Sequence, residues 1–418
     1  MKLFKHSIKT KGLTNFLKRF FTISSRFGLT PLKYIRYLKR FQELQEEFSL
    51  KTSFPITSTV LEKHKDFIKD FNDSFLFMLH GMNHIDYTRI NKEKIPMHIR
   101  KGKKTLSYLG IEKDFGFRAP YLRYNSDVRD KLIEEECFFD SSRTVFVDDP
   151  ALSIPKNDMD IINNLYSPIS FDIKLSLPFF DHSLIEIPVT LPDDEIVIDR
   201  LHIRNKEKLI NIFENVAKKI FSHQEIFIMQ LHPERIDFLF EPLKNILKNI
   251  TSDQNIWMTD LKTLAKWFKK VANAKYNFDI NKKEIAFESI PEREIIGKNI
   301  DFTHKNGRII YNSDTIPAIY LKKEIDIRFQ KQLEYDGFFV LRSDDMAQFC
   351  SIVFSDDTTF SAGAYRNFRK KILSTEKPLV FLSRWPHDKK GVFCLSGDID
   401  ALTIGDFFSR FKHFSGTQ

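Results

Sequence analysis

Cysteine is scarce: the 418 residues hold three, Cys137, Cys350 and Cys394. Their wide spacing and odd count suggest neither a disulfide framework nor a thiolate metal site, and fit a reducing compartment. Long apolar runs are missing as well. Nothing approaches the length of a bilayer span, and the N-terminus lacks the apolar stretch and small-residue cleavage site of an export signal. The expected location is therefore cytoplasmic, or peripheral at the inner face of a membrane. No stretch reads as a long disordered tract, and 42% hydrophobic with 29% charged residues is the balance of a folded protein. Acidic residues are absent from the first forty positions, which carry eleven Lys or Arg within a chain of net charge +9. Leu13, Phe16, Leu17 and Phe20 fall there at helical spacing. That makes a basic amphipathic surface for an anionic membrane or a phosphorylated ligand, or else a helix packed on the domain with a solvated basic face. No nucleic-acid reading motif accompanies the charge, so nucleic acid is not an expected partner.

What is present is alternation. From Thr30-Pro31, a favourable helix start, Leu32, Ile35, Leu38, Phe41 and Leu44 recur at spacings of three and four. Strand-like "KTSFPIT", "FLFML", "DFGFRAP", "CFFDSS", "SLIEIPVT", "EIFIMQL" and "QNIWMT" then interleave with helical stretches up to about Ala274. Such regular alternation predicts parallel strands joined by helices, an α/β barrel or open sheet. Polar residues cluster just past several strand ends, where the loops of such folds assemble a site. Beyond Ala274 the pattern changes. "KNIDFTHKNGRIIYNSD" predicts a hairpin around Asn306-Gly307, and 275–390 reads as a mixed, β-rich module or insertion.

The sharpest chemical feature is "LHGMNHID", in which His80 and His84 follow an apolar strand and can converge on one metal if the chain takes a helical turn. A histidine pair alone is weak, since surface and capping histidines are common. "GFRAPYLRYN" then puts Arg118, Pro120 and Tyr121 at a strand end, "FFDSS" ends in Asp140, Ser141 and Ser142, and "IMQLHPERI" places His232 after another strand. Taken together and in this order, these motifs resemble the polysaccharide deacetylases of carbohydrate esterase family 4, the NodB type, over about residues 30 to 270. The resemblance implies a distorted (β/α) barrel of about seven strands.

In that family the first strand ends in an acidic pair, whereas the corresponding "FTISSRFG" here contains no acid. "GVFCLSGDIDALTIGDFF" near the C-terminus resembles the missing segment. A strand there would deliver Asp398 and Asp400, and a helix can follow from Thr403. The expected organisation is a circularly permuted barrel: 1–274 as its main part, 275–390 as the inserted module, and 391–418 as the strand and helix that complete it. Two other readings stand beside it. The run could open a second, truncated domain, or Asp398 and Asp400 could lie in an ordinary strand-to-helix turn capped by Thr403 and Asp406.

The resemblance implies a divalent metal, with zinc as the default, held by Asp400, His80 and His84. It implies Asp398 as general base, oriented by Arg118, with His232 as general acid and the Tyr121 backbone N–H at the oxyanion. Asp140 would shape the strand end. Asp86, Asp148 and Asp149 read as loop acids, the last two being fallback bases. Trp257 and Trp385 could stack on sugar or pack in the core, and Cys394 reads as a small core residue. The implied activity is metal-dependent removal of N-acetyl groups from an amino sugar in a polysaccharide, cell-wall glycan or lipid-linked precursor. A non-catalytic carbohydrate-binding relic of the fold and a basic membrane-surface scaffold are the competing readings.

Overall fold

The computed structural model describes residues 21–149, 152, 154–288, 292–354 and 359–410. The amphipathic positions from Leu13 to Phe20 lie outside them, as does the basic surface expected there. Among the described residues no helix is long and apolar enough to cross a membrane.

The sheet is built from short strands: β1 (Ser53–Ile56), β2 (Leu76–Leu79), β3 (Gly116–Phe117), β4 (Phe139–Asp140), β5 (Thr144–Phe146), β6 (Ile169–Ser170), β7 (Phe179–Asp181), β8 (Leu184–Glu186), β9 (Val189–Leu191), β10 (Ile226–Leu231) and β11 (Ile256–Met258). The following module contributes β12 (Tyr276–Asp279), β13 (Glu284–Phe287), β14 (Ile295–Lys298), β15 (Asp301–Lys305), β16 (Arg308–Asn312), β17 (Ile316–Leu321), β18 (Val340–Leu341), β19 (Cys350–Phe354) and β20 (Leu379–Leu382). Last in the chain is β21 (Gly391–Gly397).

Parallel pairing runs β10, β21, β1, β2, β3, β4, β8. Only Ile187 and Pro188 separate β8 from β9, and β9 pairs with β10, so the path returns to its start. The result is a distorted (β/α) barrel in which β8 and β9 act as one bent strand. The C-terminal strand is not at an edge. It pairs with β10 over six residues, from Ile226↔Val392 to Leu231↔Gly397, and its far side meets β1 at Ser53↔Ser396 and β11 at Trp257↔Val392. All seven of its residues are buried, Cys394 among the core at 0% exposed. "FTISSRFG", by contrast, is helical over 21–26, and Gly28 makes only an isolated bridge to Thr403.

Helices α1 (Leu32–Phe48), α2 (Ser58–Lys69), α3 (Ile95–Leu106), α4 (Ser126–Glu134), α5 (Lys156–Tyr166), α6 (Lys206–Ser222), α7 (Ile236–Ser252) and α8 (Leu261–Ala272) accompany the strands. Each turns an apolar stripe inward; on α1 it is Tyr34, Tyr37, Leu38, Phe41 and Leu44. Helix α7 escaped the sequence reading, since Pro242 interrupts its apolar stripe.

In the module, β15 and β16 form the expected hairpin. Lys305 pairs with Arg308, while Asn306 and Gly307 take φ of 52° and 71°, the two-residue loop that suits the twist of paired strands. Strands β18, β17 and β19 form a small parallel sheet with α9 (Ile327–Tyr335) and α10 (Ala362–Ser374). Its core is continuous with the barrel: Ile319, Leu321, Phe329 and Tyr365 share one buried cluster with Met78, Phe139, Ile228 and Cys394. Trp385 joins it at 1% exposed and packs on Trp267, which packs on Trp257. Helix α11 (Ile404–Ser409) starts at Thr403, whose hydroxyl and the Asp406 carboxylate form a reciprocal capping box.

Candidate metal centre

Parallel strands deliver whatever follows their C-terminal ends to one end of a barrel. His80 follows β2, Arg118 follows β3, His232 follows β10, and Asp398 and Asp400 follow β21.

The turn carrying the two histidines is not helical. Gly81 adopts φ of 76°, and a Cβ there would meet Tyr87 Oη at 2.6 Å, so the close turn needs glycine. The Tyr87 hydroxyl accepts from the Met82 N–H at 2.8 Å and fixes the turn from below. The His80 and His84 ring centroids end 5.2 Å apart. His80 Nδ1 meets the Arg118 carbonyl at 2.8 Å, which places the proton on that nitrogen and leaves Nε2 facing inward.

Asp400 completes the group. Its Oδ1 is 3.2 Å from His80 Nε2 and its Oδ2 is 3.2 Å from His84 Nε2. These three side chains offer ligand atoms within 4.8 Å of one another. His80 Nε2 and Asp400 Oδ1 are both buried and have no hydrogen-bond partner. Two imidazoles and a carboxylate with orphaned inward-facing atoms fit a divalent ion that keeps an open position. Despite its burial, Asp400 is held well below the ordinary carboxylate range by His84, Arg410 and His80. Burial and then Arg410 keep His84 well below the usual histidine value.

Asp398 lies alongside, its Oδ2 3.8 Å from His80 Nε2. Its Oδ1 accepts from Arg118 Nη1 at 3.0 Å and its Oδ2 from Gln230 Nε2 at 2.9 Å. Arg118 is fully buried, with its remaining donors directed to the Ser141 carbonyl and hydroxyl and to Ser396 Oγ. Asp140 accepts from Ser142 and is pushed well up by burial and by Glu186, which suits a strand-end role. Tyr121 sits at φ of 60° in the turn Pro120–Leu122, a left-handed conformation that orients its backbone N–H, and its ring packs on His84 at 4.3 Å. Asp86 pairs with Arg89 and Arg123, while Asp148 and Asp149 lie on the segment after β5.

Three partners were not foreseen. Asp194 holds His232 at two points, accepting from its backbone N–H at 2.8 Å and facing its Nδ1 at 2.7 Å. Asp193 and Asp194 follow β9, so the acid pair in "LPDDE" after a strand was the available signal. Burial works against the charged His232 ring, yet Asp194 outweighs it and raises the histidine pKa well above normal. Gln230 is the one polar side chain in "IFIMQL". Arg410 donates to His84 Nδ1 at 2.8 Å and lies 3.1 Å from Asp400 Oδ2.

Residues 37–135, which include His80, His84, Arg118 and Tyr121, match the polysaccharide deacetylase family model. No curated protein matches the chain. Among solved structures, a probable polysaccharide deacetylase from Pseudomonas aeruginosa PAO1 is 15% identical over 56% of this chain and 73% of that one, with a TM-score of 0.45. Puue allantoinase is 15% identical over 55% and 71%, with a TM-score of 0.44. Wild-type BA3943, a CE4 family pseudoenzyme from Bacillus anthracis, is 13% identical over 55% and 61%, with a TM-score of 0.34. At TM-scores below 0.5 these are loose likenesses. The resemblance to polysaccharide deacetylases read from the motifs thus stands on the family match over 37–135.

Proposed function

We propose that the protein is a metal-dependent hydrolase that removes N-acetyl groups from an amino sugar of a glycan or lipid-linked precursor. The observation that carries this reading is the meeting of His80, His84 and Asp400, with His80 Nε2 and Asp400 Oδ1 buried and unpartnered. A divalent ion bound there, zinc by default, supplies a Lewis acid for the acetyl carbonyl and lowers the pKa of water. The chain's own residues do the rest. Asp398, kept in place by Arg118 and Gln230, takes a proton from the attacking water. The Tyr121 N–H donates to the oxygen that becomes negative as the carbonyl carbon turns tetrahedral. His232, held as imidazolium by Asp194, gives its proton to the nitrogen as the C–N bond breaks, so acetate and a free amine leave. The same set accounts for both proton transfers that amide hydrolysis needs.

The test uses full-length protein, stripped of metal and resupplied with zinc. Zinc content and acetate release from an N-acetylated oligosaccharide are then measured. About one equivalent of zinc and zinc-restored acetate release are expected, with both lost in Asp400→Ala. Protein that takes up no divalent metal, or that releases acetate undiminished after Asp400→Ala, would sink the reading.

A further inference from the structure

A cavity of about 460 Å³ opens beside the cluster, lined among others by Arg123, Tyr124, Asn125, Arg143, Tyr166 and Ser167. Arg123 is two residues beyond Tyr121, so their Cα atoms are at most ~7 Å apart, and the cavity adjoins the wall that packs on His84. On another wall, the Tyr166 hydroxyl is pushed up by burial and then by Asp193, the neighbour of the His232 partner Asp194. The cavity therefore lies between the two halves of the proposed machinery.

Its charge balance is unusual. Arg123 reaches one carboxylate, Asp86, at 3.4 Å, and Asp86 is shared with Arg89 at 3.2 Å. Arg143 likewise has one, Asp181, which also serves Arg129 at 3.4 Å; Arg129 pairs with Asp130 besides. The Lys174 ammonium adds a third cation, 4.4 Å from the Phe179 ring that Arg143 also covers. Two polar atoms of the lining are buried without a partner, Arg143 Nε and Tyr124 Oη. Arg143 Nε can only donate, and the Tyr124 hydroxyl has a proton to give. Under-neutralised guanidinium groups with unused donors favour oxyanions, and a guanidinium fork suits planar carboxylate or tetrahedral phosphate oxygens.

We propose that this cavity receives an anionic oxygen group, a sugar carboxylate or a phosphate, carried by the N-acetylated substrate next to its acetamido sugar. The proposal rests on the deacetylase reading and narrows its substrates to acidic glycans or phosphate-linked amino sugars.

Isothermal titration of full-length protein tests it, using an N-acetylglucosamine–glucuronate disaccharide, UDP-N-acetylglucosamine and neutral chitobiose. The Asp398→Asn background prevents turnover. At least one anionic probe should bind about tenfold tighter than chitobiose, and Arg143→Met should bring that ratio near one. Which anionic probe gains identifies the carboxylate or the phosphate as the source. Tyr124→Phe, which removes a single hydroxyl, should weaken the same probe several-fold and decides the matter if Arg143→Met fails to fold. Equal affinity for all three probes, no binding of any, or a preference that survives both substitutions overturns the proposal. Failure of the parent reading looks different: a protein that discriminates among the probes while wild type releases no acetate loses the deacetylase assignment and keeps the anion site.

Discussion

Asp194 and His232 make the clearest pH-dependent unit among the described residues. Burial favours the neutral ring, but the carboxylate at 2.7 Å prevails, so the proton is retained well above the ordinary value near ~6.5. The imidazolium is the form present below that raised pKa and is lost as pH rises through it. A general acid spent in this way gives kcat/KM an alkaline limb. In Asp194→Asn the charge is gone and burial is left unopposed, so the limb should move to lower pH, with kcat/KM at neutral pH falling roughly 10²-fold. A pH–rate profile with the limb unmoved would assign the acid elsewhere. The same linkage acts on stability: the His232 share is full below ~6.5 and lost as pH rises through its folded pKa, while the depressed Asp194 contributes above ~3.9 and loses its share as pH falls through its own. Arg410 works against the metal. A ring that ligates through Nε2 carries its proton on Nδ1, where His84 already faces the Arg410 N–H at 2.8 Å, and the guanidinium also competes for Asp400. Arg410→Gln should therefore tighten zinc binding by about tenfold in a chelator competition. Unchanged or weaker binding would mean that Arg410 fits the loaded site.

The element that decides most is β21. A strand hydrogen-bonded on both sides, with seven buried residues, is part of the barrel wall. Leu395→Ala, at a position 1% exposed, should cost about 2–5 kcal/mol in urea unfolding. A chain ending at residue 390 should lose the sheet signal in near-ultraviolet and far-ultraviolet dichroism rather than persist as a folded, inactive barrel. Retention of both signals would show that β10 and β1 can close without it. Much of this was legible in sequence, because parallel strands buried on both faces read as apolar runs and their ends carry the polar residues, as with His80, Arg118, His232 and Asp398. The acid-free "FTISSRFG" beside "CLSGDID" even pointed to the chain end. Partnerships between strands distant in sequence were less legible. That Asp194 serves His232 follows from β9 lying beside β10, and that Gln230 reaches Asp398 follows from the register Gln230↔Ser396. Neither adjacency leaves a local pattern. The turn at Gly81 was misread as helical for a related reason: a positive φ and the Tyr87 hydroxyl beneath it achieve the convergence that a helical turn would have given.

On the scale of the whole molecule, the barrel and the module that precedes β21 are joined by more than chain continuity. The Arg366 guanidinium forks onto Glu225 at 2.6 and 2.9 Å, linking α10 to the residue just before β10, and Glu225 also accepts from the Ser176 N–H. Asp336, after α9, gathers Tyr365, Arg369 and Arg384. Arg384 in turn donates to the His223 and Gln224 carbonyls at the end of α6. Around these ions the apolar cluster passes without interruption from Ile319 and Phe329 to Ile228 and Val392. A buried ion pair adds little net stability when formed, but removing one partner strands the other, at about 3–5 kcal/mol. Glu225→Ala should therefore destabilise the protein by that amount. Because module and barrel share one core, calorimetry should show a single transition at lower temperature and not a module that melts first. A separate low-temperature peak would make the module an independent unit and the shared cluster a mere contact. A single transition would mean that β21, and with it Asp398 and Asp400, is held in register by the module that leads into it, so that damage far from the metal ligands reaches the site through folding alone.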